Sequence, residues 1–190
     1  MLKVIKSTNI DSQLIKKSLK NNRRAQQQLY DKYAPKMLSV CRYYIKDCYQ
    51  AEEIMLNGFF KVFTKLATFK NEGSFEGWIK RIMIWDCISF LRKKSKLVYS
   101  EDMSFYEEME EEPVECLIAI EDIQDFINEL PETCKVIFNL YVIEGYKHKE
   151  IAQMLNITQG TSKTQLFRAR KALQKMLKMN QKEYHGAEKF

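Results

Sequence analysis

The chain has 190 residues, a net charge of +6, 45% apolar residues, and only six glycines and three prolines. That composition is globular and helix-favouring, long enough for one or two small domains, and too poor in Gly and Pro for a Gly-rich β architecture. The first nine residues are too polar for a signal peptide. No stretch approaches the roughly 18 apolar residues of a membrane span, so a soluble, cytoplasmic chain without direct membrane insertion is expected.

Five cysteines occur (Cys41, Cys48, Cys87, Cys116 and Cys134), with no C-x-x-C and only two histidines, His148 and His185. A zinc site needs tighter clustering. The cysteines therefore read as small apolar residues of a reducing compartment. No nucleophile–base pair, metal cluster or phosphate-cradling Gly loop is evident, so no catalytic residue, metal or cofactor is expected, and an enzyme is disfavoured.

Charge is divided along the chain. The 38 residues between Lys96 and Lys135 contain no Lys or Arg and hold 13 of the 25 acidic residues, leaving 31 basic against 12 acidic groups elsewhere. Two basic blocks thus flank an acidic one. Basic compact surfaces point to a polyanion, through counterion release at phosphates. The acidic run from Glu107 to Glu112 repels nucleic acid and reads as a solvated linker, serving either as a plain tether or as a nucleic-acid mimic.

In chain order, residues 1–20 are an N-terminal segment in which Leu14, Ile15 and Leu19 have helical spacing. Residues 21–95 form the first helical domain. Ala25, Leu29, Tyr33, Met37, Cys41 and Tyr44 recur every three or four residues, and Pro35 is expected to kink that helix or start a new one. A second helix from about Gln50 has the stripe Ile54, Met55, Gly58, Phe59, Val62, Phe63 and Leu66, with Gly58 admitting a close helix crossing. Ser74 is placed to cap a third helix carrying Phe75, Trp78, Ile79, Ile82, Met83, Ile88 and Leu91. Lys80, Arg81, Arg92 and Lys93 are interleaved with that apolar set, a pattern suited to single-stranded DNA. Trp78 itself falls on the apolar stripe and reads as core.

Residues 96–119 are the acidic linker, 120–182 the second domain and 183–190 a frayed tail. In the second domain Pro131 sits near the start of a helix whose apolar side is Val136, Ile137, Leu140, Tyr141 and Ile143, and Gly145 fits its end. A short helix then leads to Asn156, at a turn that needs left-handed geometry. The last helix, from about Gln159 to Met179, has an inner stripe of Ser162, Leu166, Ala169, Leu173 and Met176. Its outer face offers Thr161, Lys163, Thr164, Gln165, Arg168 and Arg170. Two short helices across a tight turn, the second polar and basic, make a helix-turn-helix that reads duplex DNA in the major groove. His148 reads as a polar helix-start residue.

The segments Ala51-Glu52-Glu53-Ile54, Phe59-Phe60-Lys61-Val62-Phe63, Phe75-Glu76-Gly77-Trp78-Ile79-Lys80-Arg81-Ile82 and Leu91-Arg92-Lys93 resemble region two of the extracytoplasmic-function (ECF) sigma factors of bacterial RNA polymerase. Leu130-Pro131-Glu132, Glu144-Gly145-Tyr146, Lys149-Glu150-Ile151-Ala152 and Leu166-Phe167-Arg168-Ala169-Arg170 resemble region four. The resemblance implies an all-α chain of two small helical domains joined by an acidic linker. Its implied partners are core RNA polymerase, promoter DNA and an anti-sigma factor, often membrane-anchored. It places Thr161, Lys163, Gln165 and Arg168 at the minus-thirty-five element. It places Asn71, Lys80, Arg81, Trp85, Arg92 and Lys93 at the minus-ten strand, with the 68–74 loop capturing a flipped base. Glu53, Asn57 and Lys61 face the polymerase, Glu53 and Asn57 standing where the family usually has Asp and Gln. Trp85 and Ser89 depart from the family's usual Asn and Asp. Trp85 either stacks on minus-ten bases or packs into the core or a partner. The alternatives to a working sigma factor are a helix-turn-helix regulator acting without polymerase and a degenerate, sigma-like decoy.

Overall fold

The computed structural model describes residues 11–70, 72–94 and 120–187, and every regular element among them is helical. The expected linker at 96–119 and Asn71 lie outside the described residues. The chain divides into two compact units, Met1–Lys94 and Ser95–Phe190.

The first unit begins with helix α1 over residues 11–18. It is tied to the next helix through Asp11, which accepts hydrogen bonds from the Tyr33 hydroxyl at 2.7 Å and from Lys32 at 2.5 Å. Helix α2 (Arg23–Tyr44) starts where the Asn22 side chain accepts from the Ala25 amide, satisfying one of the orphan donors of the first turn. It runs unbroken through Pro35, against expectation. Pro35 lies on the exposed face, where water can serve the carbonyl that loses its partner. Helix α3 (Cys48–Thr64) is capped by Asp47 and followed by a 3-10 turn at Leu66–Thr68. Helix α4 (Phe75–Lys94) is capped by Ser74, whose hydroxyl accepts from the Gly77 amide at 3.0 Å.

Helices α2, α3 and α4 pack on one another around Leu29, Met37, Leu66, Ile79, Met83, Ile84 and Ile88, all fully buried. Each such side chain contributes roughly 1.5–3 kcal/mol by leaving water. Gly58 leaves room on α3 for the Met83 side chain of α4: a Cβ there would lie 2.3 Å from Met83 Sδ. Trp78 is half-buried in a cluster with Phe69 and Phe75, centroids 5.4 and 5.8 Å away. Cys41 and Cys87 are fully buried, and a hydrogen bond to Cys41 together with burial pushes the Cys87 thiol up. Cys48 corrects the reading of the cysteines as apolar filler: it is exposed and accepts from Arg42 Nη2 at 2.9 Å.

The second unit comprises α5 (Ile120–Glu129), α6 (Glu132–Phe138), a π-helical turn at Asn139–Ile143, α7 (His148–Leu155) and α8 (Gln159–Ala187). Its core is built on Val136, Ile137, Leu140, Ile151, Leu155, Leu166 and Ala169. Lys135, 5% exposed, is held by a 2.7 Å hydrogen bond to Asn128 Oδ1. The π turn changes the helical register after Phe138, so Ile143, expected on the apolar side, is exposed together with Val142. Gly145, at φ +75°, ends this stretch. Helix α8 continues to Ala187, past the expected end at Met179 and into the segment expected to fray.

Asn156 closes α7 in the left-handed conformation, φ 56° and ψ 51°. A β-branched residue there should pay about 1–2 kcal/mol for that geometry. Glycine pays no such penalty. Asn156→Val should accelerate amide hydrogen exchange across α7 and α8 accordingly, with Asn156→Gly near wild type; equal protection in all three chains would show that the turn is not strained.

Candidate nucleic-acid interface

In the second unit α7 packs on α8, with Ile151, Ala152 and Leu155 of the first and Ser162 and Leu166 of the second buried. The turn between them is held at several points. The Ile157 amide donates to the Ala152 carbonyl at 3.0 Å. Thr158 caps α8, its hydroxyl accepting from the Thr161 amide at 3.0 Å. This cap was legible as a Thr two residues before Gly160 and was missed. The Lys147 amide donates to Glu150 Oε2 at 2.8 Å, capping α7.

His148, the first residue of α7, joins three elements. Its Nδ1 lies 2.9 Å from Ser162 Oγ on α8, and its ring stacks on Tyr141 of the π turn with centroids 4.5 Å apart. It is thus a joint within the helix-turn-helix as well as a helix-start residue.

The solvent face of α8 carries exposed Lys163, Phe167, Arg170 and Lys171, flanked by half-buried Thr161, Thr164 and Arg168. Gln165 is not among them. It is 4% exposed and its Oε1 accepts from Cys134 Sγ at 3.1 Å. Gln165 is three residues from Ser162 and four from Ala169, so helical geometry turns it inward and its amide satisfies a buried thiol. Phe167, 41% exposed, occupies the face on which Gln165 was expected. An exposed aromatic among cations on a recognition helix can meet thymine methyl groups.

In the first unit, α4 presents exposed Arg81, Trp85, Arg92 and Lys93, with Lys80 and Ser89 half-buried. Arg81, Trp85, Ser89 and Arg92 are spaced by four, four and three residues and share one face. Trp85 is 41% exposed, which excludes its packing into the core. Ser89 is turned onto its own helix, its hydroxyl donating to the Trp85 carbonyl at 2.7 Å.

On α3, Glu53 and Asn57 are exposed beside Leu56 at 49% and Phe60 at 70% exposure. The two apolar residues were missed, although Leu56 and Phe60 fall outside the buried stripe that the sequence marks. Lys61 shares this face, but its ammonium is engaged by Asp86 of α4.

A helix-turn-helix whose second helix presents cations and an aromatic, on a chain that also carries a separate cation–aromatic helix, defines a DNA-binding protein. Comparison with known proteins refines the class. The family model of sigma-70 region 2 matches residues 29–97, and that of sigma-70 region 4 matches residues 120–173. The chain is 27% identical over 180 residues to the RNA polymerase sigma-H factor of Pseudomonas aeruginosa, covering 88% of this chain and 93% of that one. It is 27% identical over 182 residues to the ECF RNA polymerase sigma factor SigW of Bacillus subtilis, covering 87% and 97%. The solved structure of the sigma factor RpoE with the anti-sigma factor NepR, from Bartonella quintana, shares the fold with a TM-score of 0.51 at 22% identity, covering 80% of this chain and 96% of that one. The chain belongs to the sigma-70 family, in its ECF group, and is an RNA polymerase sigma factor serving promoter recognition. Among the described residues no helix is long and apolar enough to cross a membrane.

Burial, and then the cations of Lys163 and Arg170, hold the His148 imidazole below its ordinary value of 6.5. The folded chain therefore binds this proton less tightly than the unfolded chain. The associated stability is fully present above about pH 6.5 and is lost as pH falls through the lower folded value. Across that window wild type should lose protection from amide exchange in α7 and α8, and His148→Gln should lose less. Parallel pH profiles for the two proteins would remove His148 from the account.

Proposed function

We propose that the two units divide promoter recognition, the first capturing the melted minus-ten strand and the second reading the minus-thirty-five duplex. The observation that carries this reading is the stripe of exposed Arg81, Trp85 and Arg92 on α4. It combines two guanidiniums for phosphates with an indole face for a base, the chemistry that binds single strands. Lys80 and Lys93 flank it. Asn71 is assigned to the same strand because it stands four residues before α4 in the sequence. In the second unit Lys163, Phe167 and Arg168 face the duplex, with Thr161 near the helix start. Gln165 supports them from the core through Cys134.

Core polymerase is assigned to the exposed face of α3. Glu53 and Asn57 supply its polar contacts, while Leu56 and Phe60 supply apolar area that a partner would take out of water. The solved relative is held by an anti-sigma factor, and the same class of partner is proposed to silence this chain. The reading has no catalytic step. A duplex regulator that works without polymerase leaves both the α3 face and the α4 stripe unexplained.

Genome-wide transcription in vitro, with core polymerase and this protein, should give discrete start sites sharing a pair of upstream elements. Core binding without transcripts would make the chain a decoy, and no core binding would favour the regulator. On a promoter so found, Trp85→Ala should lower permanganate reactivity of the minus-ten strand by on the order of tenfold, as expected for about 1–3 kcal/mol per stacked base, while Trp85→Asn restores part of it. Normal melting by a stably folded Trp85→Ala chain would end the stacking assignment.

A further inference from the structure

We propose that Asp86 is a positioning residue: its ion pair with Lys61 ties α3 to α4 and so presents Trp85 to the melted strand. The proposal rests on the role given to Trp85 above.

Asp86 Oδ1 lies 2.5 Å from Lys61 Nζ, with the carboxylate side chain 13% exposed and the lysine side chain 47% exposed. The second oxygen, Oδ2, is buried without a hydrogen-bond partner among the described residues. It faces the α3–α4 seam, 3.7 Å from where a Cβ on Gly58 would stand. A largely buried carboxylate with one unsatisfied oxygen is a costly occupant of an interhelical seam. An apolar residue of similar volume would serve stability as well or better. Asp86 must therefore be explained by what it holds in place.

Successive residues on a helix project about 100° apart. With the Asp86 carboxylate drawn into the seam toward α3, the neighbouring Trp85 is turned out of it, consistent with its 41% exposure. The buried stripe of α4 sets which face packs inward, and the ion pair pins that seating at this point. Without it, the carboxylate turns toward water and the seating of α4 against α3 beside Trp85 is loosened. The other end of the pair is equally placed. Lys61 lies four residues beyond Asn57 and eight beyond Glu53, on the α3 face assigned to polymerase. The pair thus joins the polymerase-facing helix to the DNA-facing one by a single charge-assisted contact, beside Gly58, against which the Met83 side chain packs. This also reassigns Lys61 from a direct polymerase contact to a tether.

The test uses holoenzyme at saturating core polymerase on a promoter identified by the transcription experiment, read by permanganate reactivity of the melted strand. Asp86→Asn and Lys61→Met should each reduce opening by about tenfold, within the range of coupling energies for contacting residues. The exchange Lys61→Asp with Asp86→Lys should recover most of that loss. Asp86→Asn should leave core affinity and the thermal midpoint near wild type, and it should add little in a Trp85→Ala background. Normal opening by Asp86→Asn, or losses that add fully to that of Trp85→Ala, would overturn the proposal. So would a loss in Lys61→Met that appears only as weaker core binding, since Lys61 would then be a direct contact. If the exchanged chain does not fold, Lys61→Met, at a half-exposed position, decides in the same terms. If wild type opens no promoter at all, the role of Trp85 fails first and the proposal falls with it.

Discussion

The first unit depends on the close approach of α3 and α4 at Gly58. No larger side chain fits over Met83 without displacing it, because a Cβ would stand 2.3 Å from its sulfur. With the seam that tight, Ile79, Met83, Ile84 and Ile88 fill the interior from α4, and Ile54, Met55, Phe59 and Val62 fill it from α3. What remains outside is set by helical geometry. Leu56 and Phe60 fall on the free face of α3, and Trp85 on that of α4. Fully burying each would contribute roughly 1.5–3 kcal/mol, so three such side chains left in water are a large forgone stabilisation for a unit this small. A surface of that kind is better explained by partners than by folding.

The second unit solves a different problem, which is to hold a recognition helix rigidly at the edge of a small core. Four local devices converge there: the left-handed Asn156, the Thr158 cap, the Glu150 cap on α7, and the His148–Ser162 contact backed by the Tyr141 ring. Each is worth on the order of 1 kcal/mol, yet together they fix the angle and start of α8 more firmly than apolar packing alone, because hydrogen bonds are directional. Burial, and then the cations of Lys163 and Arg170, disfavour the charged form of His148 in this arrangement.

Much of this was legible from spacing. The buried stripes of α2 and α3, the Ser74 cap, the left-handed Asn156 and the crossing at Gly58 all follow from periodicity and from what Ser, Asn and Gly do locally. The misplacements have separate causes. Gln165 was read outward because glutamine is polar, although its spacing from Ser162 and Ala169 turns it inward; chemical identity was allowed to outweigh register. Pro35 does not start a new helix because its face is open to water, which can serve the carbonyl left without a partner. Ile143 moved because a π turn adds a residue to the helical period, which no amphipathic pattern announces. The Lys61–Asp86 pair spans 25 positions, and no local rule connects residues at that distance. The consequence proposed for Trp85 depends on the packing of the two helices against each other.

The division of charge gives these local features a common purpose. Outside the acidic stretch the chain carries 31 basic against 12 acidic groups, and the two helices assigned to DNA, α4 and α8, carry five and seven of those basic residues. The two contacts are not of one kind. On α8, Lys163, Arg168, Arg170 and Lys171 dominate, so binding by that unit releases counterions and weakens steeply with salt. On α4 an indole sits between two guanidiniums, so part of the affinity comes from stacking, which salt screens far less. Two weak contacts on one chain also raise each other's effective concentration. Duplex engagement is then favoured by long-range attraction, while retention of an opened strand rests on a contact that forms only after bases unstack. That order, attraction before capture, is what promoter opening requires.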